Sequence, residues 1–378
     1  YDDGRSAQPL RELENSMSSS RVTMKDIAAK LGVSVNTVHK VVANKPGVSD
    51  AVRARVLLAA EEMGYRRNEN ASVLRRRDLK VVVCLPSPEQ EGGFHFAYLW
   101  RGVGRYEAES RDRGLVFDAR PFNVGCYAQV LEEVLEQAEA GERPDGMIAH
   151  APVEPGTVEL LTKISKLGVS VVLVDGDCPC TGRIGAAVAG YPEAGSLMAE
   201  QAANLLSGVP GAKKILLLAG DPRTDAHADA ARAFHAYLDE RGLDYAVCDL
   251  YGAHERADEL REKVEALLSD GNAPGLVCSV FDVGSKVVAD AVMELGLAGK
   301  IYAIASDLSP ENVIAMRRGV FANIVYKDPI TLAYRGARML GEYLLRGEMP
   351  TESVPRGATD LVFHSNLDEY CRLAGVEA

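Results

Sequence analysis

Most of this sequence alternates apolar strand-like segments with amphipathic helical ones, and that alternation limits the fold more than any other feature. Residues 79–378 hold nine strand candidates and at least six helical stretches between them. Such alternation predicts parallel, doubly wound sheets covered by helices on both faces. The strand candidates are 80–85, 115–119, 146–150, 169–174, 213–218, 245–249, 275–279, 301–305 and 322–325. The helical stretches are 98–111, 127–140, 194–206, 226–241, 256–268 and 330–345.

The segment that precedes this body has a different pattern. Thr23 can cap a helix with an inward stripe at Ile27, Ala28 and Leu31, and Gly32 provides the permissive backbone for a tight turn. Ser34 can cap a second helix, with Val38, Val41 and Val42 facing inward. A third helix is predicted from Ser49 to a point before Gly64, burying Val52, Val56, Leu57 and Ala60. The spacing predicts a helix-turn-helix, and the alternative is a small helical bundle with a solvated charged face.

Charge is distributed unevenly along the 378 residues, whose formal net charge is −12. Residues 21–78 hold 12 Lys and Arg against 6 Asp and Glu, a balance of +6, whereas residues 79–378 hold 28 against 44, a balance of −16. A net charge as acidic as this would argue against a nucleic-acid partner for the chain as a whole. A basic segment attached to an acidic body, however, favours nucleic-acid binding by that segment.

Several classes of protein are disfavoured by simple sequence observations. Seven cysteines are too few for a disulfide scaffold, and the one close pair, Cys178 and Cys180, has no second Cys or His pair at zinc-ligand spacing. No apolar run approaches 18 residues, and no charged-then-apolar signal segment is present. We therefore expect a cytoplasmic protein with no membrane association, no metal and no cofactor. Residues 1–20 are interpreted as a disordered or non-native tail, with Met17 as a possible natural start.

One segment of the basic region carries a family resemblance. Residues 22–38 read VTMKDIAAKLGVSVNTV, and together with Val48, Ser49 and the exit at Gly64 and Tyr65 they resemble the head of the lactose-repressor (LacI/GalR) family. The resemblance extends over nearly all of residues 21–378. It implies a small all-α helix-turn-helix head on an α/β periplasmic-binding-protein type I body with two doubly wound parallel-sheet lobes. It also implies a homodimeric transcriptional regulator, most simply a repressor, that binds a near-palindromic operator and is switched by a small effector.

The resemblance assigns roles to residues of the head. The base-reading positions fall on Val35 and Asn36, with Lys40 further along the same helix; Asn36 suits an adenine edge, and Lys40 a guanine edge or a phosphate. Phosphate-contacting positions set the register but not the sequence preference. His39 and Lys40 replace the usual Ser-Arg, so the fork of an arginine is absent. The remaining expected DNA contacts are Thr23, Ser34, Thr37, His39, Tyr65 and Asn68.

Residues 65–77 read YRRNENASVLRRR and match the family's hinge helix, which folds on the operator and inserts a leucine into the minor groove. Leu74 is the matching residue, with Ala71 on the same helix face. Arg67 stands where proline is usual and Ser72 where arginine is common, so a charged linker is the alternative. The predicted domains are residues 21–67 for the helix-turn-helix, 68–78 for the hinge helix and 79–378 for the effector-binding and dimerisation body.

Candidate effector contacts lie where strands end, because doubly wound sheets bind ligands at the carboxyl ends of their strands. The family's pocket positions align with residues after five of the strands. Some strand-end aspartates only cap the next helix, but several of them converging favours a binding site. The candidates are His95, Phe96, Asp175, Phe281, Asp282, Asp307 and Lys327.

A departure from the family suggests the class of ligand. The arginine that clamps ligands in many members is replaced by Ala230, and Arg232 should point elsewhere on the helix. Three aspartates without that arginine favour a sugar, a polyol or a cationic molecule over acids and phosphates.

The sequence holds no Gly-x-Gly-x-x-Gly turn after the first body strand, no P-loop and no Gly-x-Ser-x-Gly elbow, so an enzyme is disfavoured. The alternative function is a freestanding sugar-type binding protein without a DNA role.

Overall fold

The computed structural model describes residues 22, 24–42, 48–63, 78–90, 93–152, 154–209, 214–252, 256–270 and 273–377. The chain divides into two compact units, with the boundary between Arg76 and Arg77. Each unit has its own hydrophobic core.

The described part of the N-terminal unit holds three helices: α1 (Met24–Leu31), α2 (Val35–Val42) and α3 (Asp50–Glu62). Gly32 has a φ of +65° and turns the chain between α1 and α2, as its lack of a Cβ allows. The core of this unit is a small cluster of side chains from all three helices, in keeping with a helix-turn-helix and its third supporting helix. Its fully buried members are Ile27, Ala28, Val38, Val41, Val56 and Ala59.

One prediction for the third helix is wrong. Leu57 was expected in the core, but 52% of it is exposed, and Ala59 is buried in its place. The cause is helical geometry. Val56 faces the core, and the next residue is rotated by about 100° around a helix of 3.6 residues per turn, which turns Leu57 toward solvent. Ala59 and Ala60 lie one turn after Val56 and return to its face.

The first lobe of the C-terminal unit is a five-stranded parallel sheet in the order β2-β1-β3-β4-β5. Helices α4, α5 and α6 connect its strands, and separate apolar clusters cover the two faces of the sheet. Burial on both faces is the reason that β1, β3 and β4 read as apolar runs, whereas the edge strand β2 is mostly exposed. The elements are β1 (Leu79–Cys84), α4 (Phe94–Ser110), β2 (Leu115–Ala119), α5 (Tyr127–Glu139), β3 (Gly146–His150), α6 (Thr157–Lys166), β4 (Ser170–Val174) and β5 (Gly185–Ala187).

The second lobe is a six-stranded sheet in the order β11-β10-β9-β8-β6-β7. All of its pairs are parallel except β10 with β11, so the expectation of purely parallel sheets fails at this edge. The short strands β5 and β11 were not predicted, because three residues are too few to show a periodic pattern. The elements are α7 (Tyr191–Leu206), β6 (Lys214–Gly220), α8 (Asp225–Glu240), β7 (Ala246–Tyr251), α9 (Ala257–Ser269), β8 (Leu276–Ser279), α10 (Asp282–Glu294), β9 (Tyr302–Ser306), α11 (Pro310–Arg317), β10 (Asn323–Tyr326), α12 (Pro329–Arg346), β11 (Asp360–Val362) and α13 (Leu367–Ala374).

The chain passes between the two lobes three times. Helix α7 leaves β5 of the first lobe and packs in the core of the second, whereas α12 leaves β10 of the second lobe and packs on the first. The chain then returns to the second lobe to form β11. Helix α4 adds direct contacts between lobes: the Tyr98 hydroxyl donates to the Leu308 carbonyl at 2.8 Å, and the Arg101 guanidinium donates to the Ala374 carbonyl. The carboxyl ends of both sheets therefore meet at the segments that join the lobes.

Close packing of α4 against α12 depends on Gly102. A Cβ at this position would lie 2.2 Å from the Ile330 carbonyl oxygen and 2.8 Å from the Ala333 Cβ. At Gly104, two residues along the same helix, an added Cβ would have nothing within 4 Å. The two glycines thus share a helix and differ in the space around them.

We predict that Gly102→Ala destabilises the C-terminal unit by about 1–3 kcal/mol, because a buried backbone contact must move apart. Gly104→Ala is the matched control and should stabilise by about 0.5–1 kcal/mol, since alanine is the better helix former. Urea unfolding of both variants measures the free energies. Equal effects of the two substitutions would contradict the packing at Gly102.

Candidate functional site

Two aspartates occupy equivalent positions in the two lobes, directly after β4 and β9. Asp175 and Asp307 both have left-handed backbones, with φ of 67° and 70°. Each donates its backbone N–H to the next strand of its sheet, Asp175 to the Ala187 carbonyl and Asp307 to the Val325 carbonyl, both at 2.9 Å. A left-handed backbone costs a non-glycine residue about 1 kcal/mol or more, and such conformations concentrate at functional sites. The repeated conformation marks these strand ends as a candidate site.

In the first lobe, the carboxylate of Asp175 is shared by three side chains. Its Oδ2 lies 2.8 Å from His95 Nε2 and 3.7 Å from His150 Nε2, and its Oδ1 accepts a hydrogen bond from the Tyr191 hydroxyl at 3.1 Å. The Asp175 side chain is only 8% exposed. A buried carboxylate requires such partners, because an unpaired charge away from water is strongly unfavourable.

In the second lobe, the carboxylate of Asp307 pairs with Lys327. Lys327 Nζ lies 2.8 Å from Asp307 Oδ1 and donates to Ser306 Oγ at 2.6 Å, and Ser306 Oγ in turn donates to Asp307 Oδ2 at 3.1 Å. The lysine is almost completely buried. In each lobe, therefore, one strand is followed by an aspartate whose negative charge is compensated by a buried or half-buried cation.

Tyr191 links the two ion pairs. It is the first residue of α7, the helix that passes from one lobe to the other, and its ring centroid lies 5.7 Å from Lys327 Nζ while its hydroxyl contacts Asp175. Burial raises the pKa of Tyr191 well above its ordinary value, and the carboxylates of Asp175, Asp307 and Asp282 add to the effect. The phenol is therefore neutral and available as a hydrogen-bond donor. We call Asp175, His95, Tyr191, Asp307, Ser306 and Lys327 the cleft cluster.

The ion pair in the first lobe changes the pKa of both partners. Burial opposes the charged imidazolium of His95, but the charge and hydrogen bond of Asp175 outweigh it and raise the pKa of His95 to about 9. Burial likewise opposes the carboxylate of Asp175, yet the charge and hydrogen bond of His95, together with the nearby His150, hold its pKa well below the ordinary value. At neutral pH the pair is ionised on both sides.

The other predicted pocket residues lie around the same strand ends. The ring of Phe96 meets that of His150 edge to face, with centroids 6.2 Å apart. Phe281 is buried after β8 and packs on His227 at 5.0 Å. Asp282 begins α10 and lies close enough to Tyr191 to raise the pKa of its hydroxyl.

Sequence reasoning missed three members of this region: His150, Tyr191 and Ser306. His150 and Ser306 are the last residues of β3 and β9, so the strand-end rule that selected Asp175 could have selected them as well. Tyr191 follows an unpredicted strand, and no signal in the sequence marked it.

Ala230, which stands where many family members have an arginine, is buried against α7. The packing there is close, because a Cβ on Gly195 would meet the Ala230 carbonyl at 2.0 Å. Arg232 points away and pairs with Asp229 at 2.7 Å.

In the N-terminal unit, Ser34 caps α2. Its Oγ accepts from the Thr37 backbone N–H at 3.0 Å and lies 2.8 Å from Thr37 Oγ1. Val35 and Asn36 are exposed at the start of the helix, and Lys40 lies one turn after Asn36 on the same face and is half-buried. Predicted contacts at Thr23, Tyr65, Asn68 and Leu74 lie outside the described residues, as does the side chain of His39.

Two further observations concern the described part of the chain. None of its helices is long and apolar enough to cross a membrane, and no group of three or more His, Cys, Asp or Glu residues there has metal-binding geometry. A pocket of about 260 Å³ opens at the ends of β6 and β7. It holds none of the predicted residues, and within it Arg223 pairs with Asp221 and Arg256 with Glu259.

Comparison with known proteins follows the division into two units. Residues 23–68 match the model of bacterial regulatory proteins of the lacI family, and residues 85–349 match a periplasmic binding protein domain. The chain belongs to the LacI family. Among curated relatives, the transcriptional regulator MalR of Streptococcus pneumoniae is 30% identical over 147 residues, covering 38% of this chain and 43% of MalR. The aligned region thus spans less than half the length of that relative.

Solved structures agree with the fold of the body. A LacI-type transcriptional regulator from Bacteroides fragilis superposes with a TM-score of 0.66 at 13% identity, covering 78% of this chain and all of that one. A solute-binding protein from Burkholderia graminis, solved with D-arabinose, gives a TM-score of 0.67 at 17% identity, covering 78% of this chain and 98% of that one. At these identities the likeness establishes the periplasmic-binding-protein type I fold of this LacI-family chain.

We predict a pH-dependent stability that depends on His95. Its folded-state pKa of about 9 exceeds the ordinary 6.5, so the His95–Asp175 pair contributes fully below about pH 6.5 and is lost as pH rises through about 9. The depressed pKa of Asp175 makes the same pair lose its contribution in acid, below the ordinary carboxylate pKa of 3.8. The alkaline loss is on the order of 3 kcal/mol.

Urea unfolding at several pH values measures this dependence. His95→Gln should remove most of the loss between pH 6.5 and 9, whereas His364→Gln, at an exposed histidine, should leave it unchanged. An unaltered pH profile in His95→Gln would show that the pair does not control stability.

Proposed function

We propose that the protein is a repressor that binds a pseudo-palindromic DNA operator as a homodimer and is switched by a neutral sugar or polyol bound between its lobes. The observation that carries the proposal is the cleft cluster, in which polar side chains from both lobes meet at Tyr191 on a connecting segment. A ligand that contacts this cluster would touch both lobes at once. Its binding energy would then depend on how the lobes are arranged.

The DNA-binding part of the proposal rests on α2. The Ser34 cap fixes the first turn of this helix, and Asn36, which is exposed, and Lys40, which is half-buried, lie on one face with the exposed Val35 beside them. An amide suits an adenine edge and an ammonium suits a guanine edge or a phosphate, while Val35 can contact a thymine methyl. The basic balance of residues 21–78 supplies attraction to phosphates. We also propose Thr23, Thr37, His39, Tyr65, Asn68 and Leu74 as DNA contacts.

The class of ligand follows from the charges in the cleft. Asp175 and Asp307 are already paired with His95 and Lys327, so an incoming ion would have to displace a buried partner. A hydroxyl can donate to a carboxylate and accept from a cation at the same site. The ring of Phe96 offers an apolar face next to these groups. These contacts favour a neutral polyhydroxylated molecule and disfavour the cationic ligand that the sequence allowed.

A freestanding binding protein is the competing function, since the body resembles solute-binding proteins. In vitro selection from random double-stranded DNA with the full chain separates the two. We expect enrichment of one symmetric sequence with two half-sites. Selection that yields no consensus would favour the freestanding binding protein. A thermal-shift screen of neutral sugars, polyols, amines and organic acids then identifies the ligand class, and stabilisation by acids alone would contradict the proposed ligand.

We predict that Asn36→Ala and Lys40→Ala weaken operator binding in different ways. Asn36→Ala should relax the preference at one base pair in each half-site, at a cost of about 1–3 kcal/mol. Lys40→Ala should alter a base preference if it reads guanine, or reduce the salt dependence of binding if it contacts phosphate. Binding titrations on single-base operator variants at several salt concentrations measure both. A uniform loss across sequences in Asn36→Ala would reassign it to the DNA backbone.

We predict that Tyr191→Phe lowers the affinity of the screened neutral ligand by about tenfold, because one hydrogen bond in the cleft is lost and Asp175 is left short of a donor. Tyr237→Phe is the matched control, since its ring stacks on Arg241 at the surface of α8. Calorimetric titration of both variants measures the change. An unchanged ligand affinity in Tyr191→Phe would place the ligand elsewhere.

A further inference from the structure

The turn after β4 brings two thiols into contact. Cys178 and Cys180 lie on either side of Pro179, with their Sγ atoms 2.9 Å apart. Cys180 is exposed and Cys178 is half-buried. Neither thiol takes part in the cleft cluster, although Asp175 begins the same loop three residues earlier. The LacI-type function proposed above therefore leaves this pair unexplained.

The backbone holds the two thiols on the same side of the turn. Pro179 is the first residue of a short 3₁₀ turn, Pro179–Thr181, where its fixed φ suits the bend. The Thr181 hydroxyl donates to the Cys178 carbonyl at 2.8 Å, and the Thr162 hydroxyl donates to the Cys180 carbonyl at 3.2 Å. These bonds anchor the backbone of each cysteine separately. The contact between the sulfurs is thus built into the turn.

The surroundings favour thiol chemistry over metal binding. A structural zinc site takes four ligands, and no third ligand joins these two cysteines within the described residues. Burial raises the pKa of Cys178 to about 11, and its hydrogen bond to Cys180 adds to the effect. The proton therefore stays on Cys178, and Cys180 is the exposed thiol that an incoming reagent reaches first.

We propose that Cys178 and Cys180 form a reversible dithiol–disulfide site that reacts with small-molecule disulfides. The Cys180 thiolate attacks one sulfur of the incoming disulfide, forming a mixed disulfide and releasing one thiolate. Cys178 then loses its proton and attacks Cys180 Sγ, which closes the internal disulfide and releases the second thiolate. One molecule of small disulfide is reduced to two thiols, and the protein loses two hydrogens. Exposed disulfides are the readily reduced ones, so the step is reversible by dithiols.

Other cysteines in the chain provide an internal comparison. Cys84 and Cys278 are buried, and burial raises the pKa of both thiols, to about 12 for Cys84. They should not react in the folded protein. Cys126 and Cys248 are exposed, so they are accessible to the same reagent. The Cys178–Cys180 pair should therefore close an internal disulfide, whereas each of these two exposed thiols should form only a mixed disulfide.

Oxidised glutathione and mass spectrometry test the proposal on the full folded chain. Trypsin cleaves after Lys166 and Arg183, so one peptide, 167–183, carries both cysteines and no other. After oxidation and blocking of free thiols, we expect this peptide to be unblocked, free of glutathione and two hydrogens lighter than its dithiol form. Dithiothreitol should restore both thiols. Cys126 should be blocked or carry glutathione.

Substitutions separate the internal disulfide from general reactivity. In Cys180→Ser, peptide 167–183 should never lose two hydrogens, and Cys178 should keep its thiol or hold glutathione. Cys126→Ser, at an exposed thiol in another part of the fold, should leave oxidation of peptide 167–183 unchanged. Two results would overturn the proposal: peptide 167–183 remaining in the dithiol form while Cys126 is glutathionylated, or its accumulation as a glutathione adduct without ring closure.

Discussion

The pairing of buried charges at the ends of β4 and β9 is the constraint on which the cleft of this protein depends. Asp175 and Asp307 sit at equivalent strand ends with the same left-handed backbone, and each carboxylate is held by a cation and by hydroxyl donors. Removing one partner would leave a buried charge uncompensated, a change that costs several kcal/mol. Tyr191 contacts both ion pairs from the connecting helix α7. The charge pairing in the cleft therefore depends on how this helix joins the two lobes.

Sequence patterns predicted the architecture well where the pattern was long. Strands Leu115–Ala119 and Gly146–His150 lie where the apolar runs placed them, and the major helices begin and end within a few residues of the predicted positions. The pattern was uninformative for Gly185–Ala187 and Asp360–Val362, since three residues carry no period. In the third helix, it also placed Leu57 in the core, but this residue is rotated by about 100° from Val56 and is exposed.

The candidate site was predictable in part, for a physical reason. Parallel strands end at one edge of a sheet, so the rule selected Asp175 after a strand of the first lobe and Asp307 after a strand of the second. The two strand ends come together through the segments that join the lobes, which the strand-end rule does not predict. The rule gives no information on which charges pair. The sequence suggested three aspartates without the family's clamping arginine and hence a cationic ligand as one possibility. The contacts of Lys327 and His95 change that expectation, because pairing depends on distances that only the fold determines.

The uneven charge of the chain fits the proposed roles of its two units, DNA binding by the head and ligand binding by the body. A basic segment at residues 21–78 attracts DNA, while the acidic body repels phosphate and leaves contact to the head. In the function proposed for this protein, ligand binding in the body and operator binding by the head are linked. Titrating the selected operator with and without saturating neutral ligand tests this linkage most directly, together with the reciprocal titration of ligand with and without operator. We expect equal fold-changes in the two affinities. Operator affinity that is unchanged at saturating ligand would contradict the linkage.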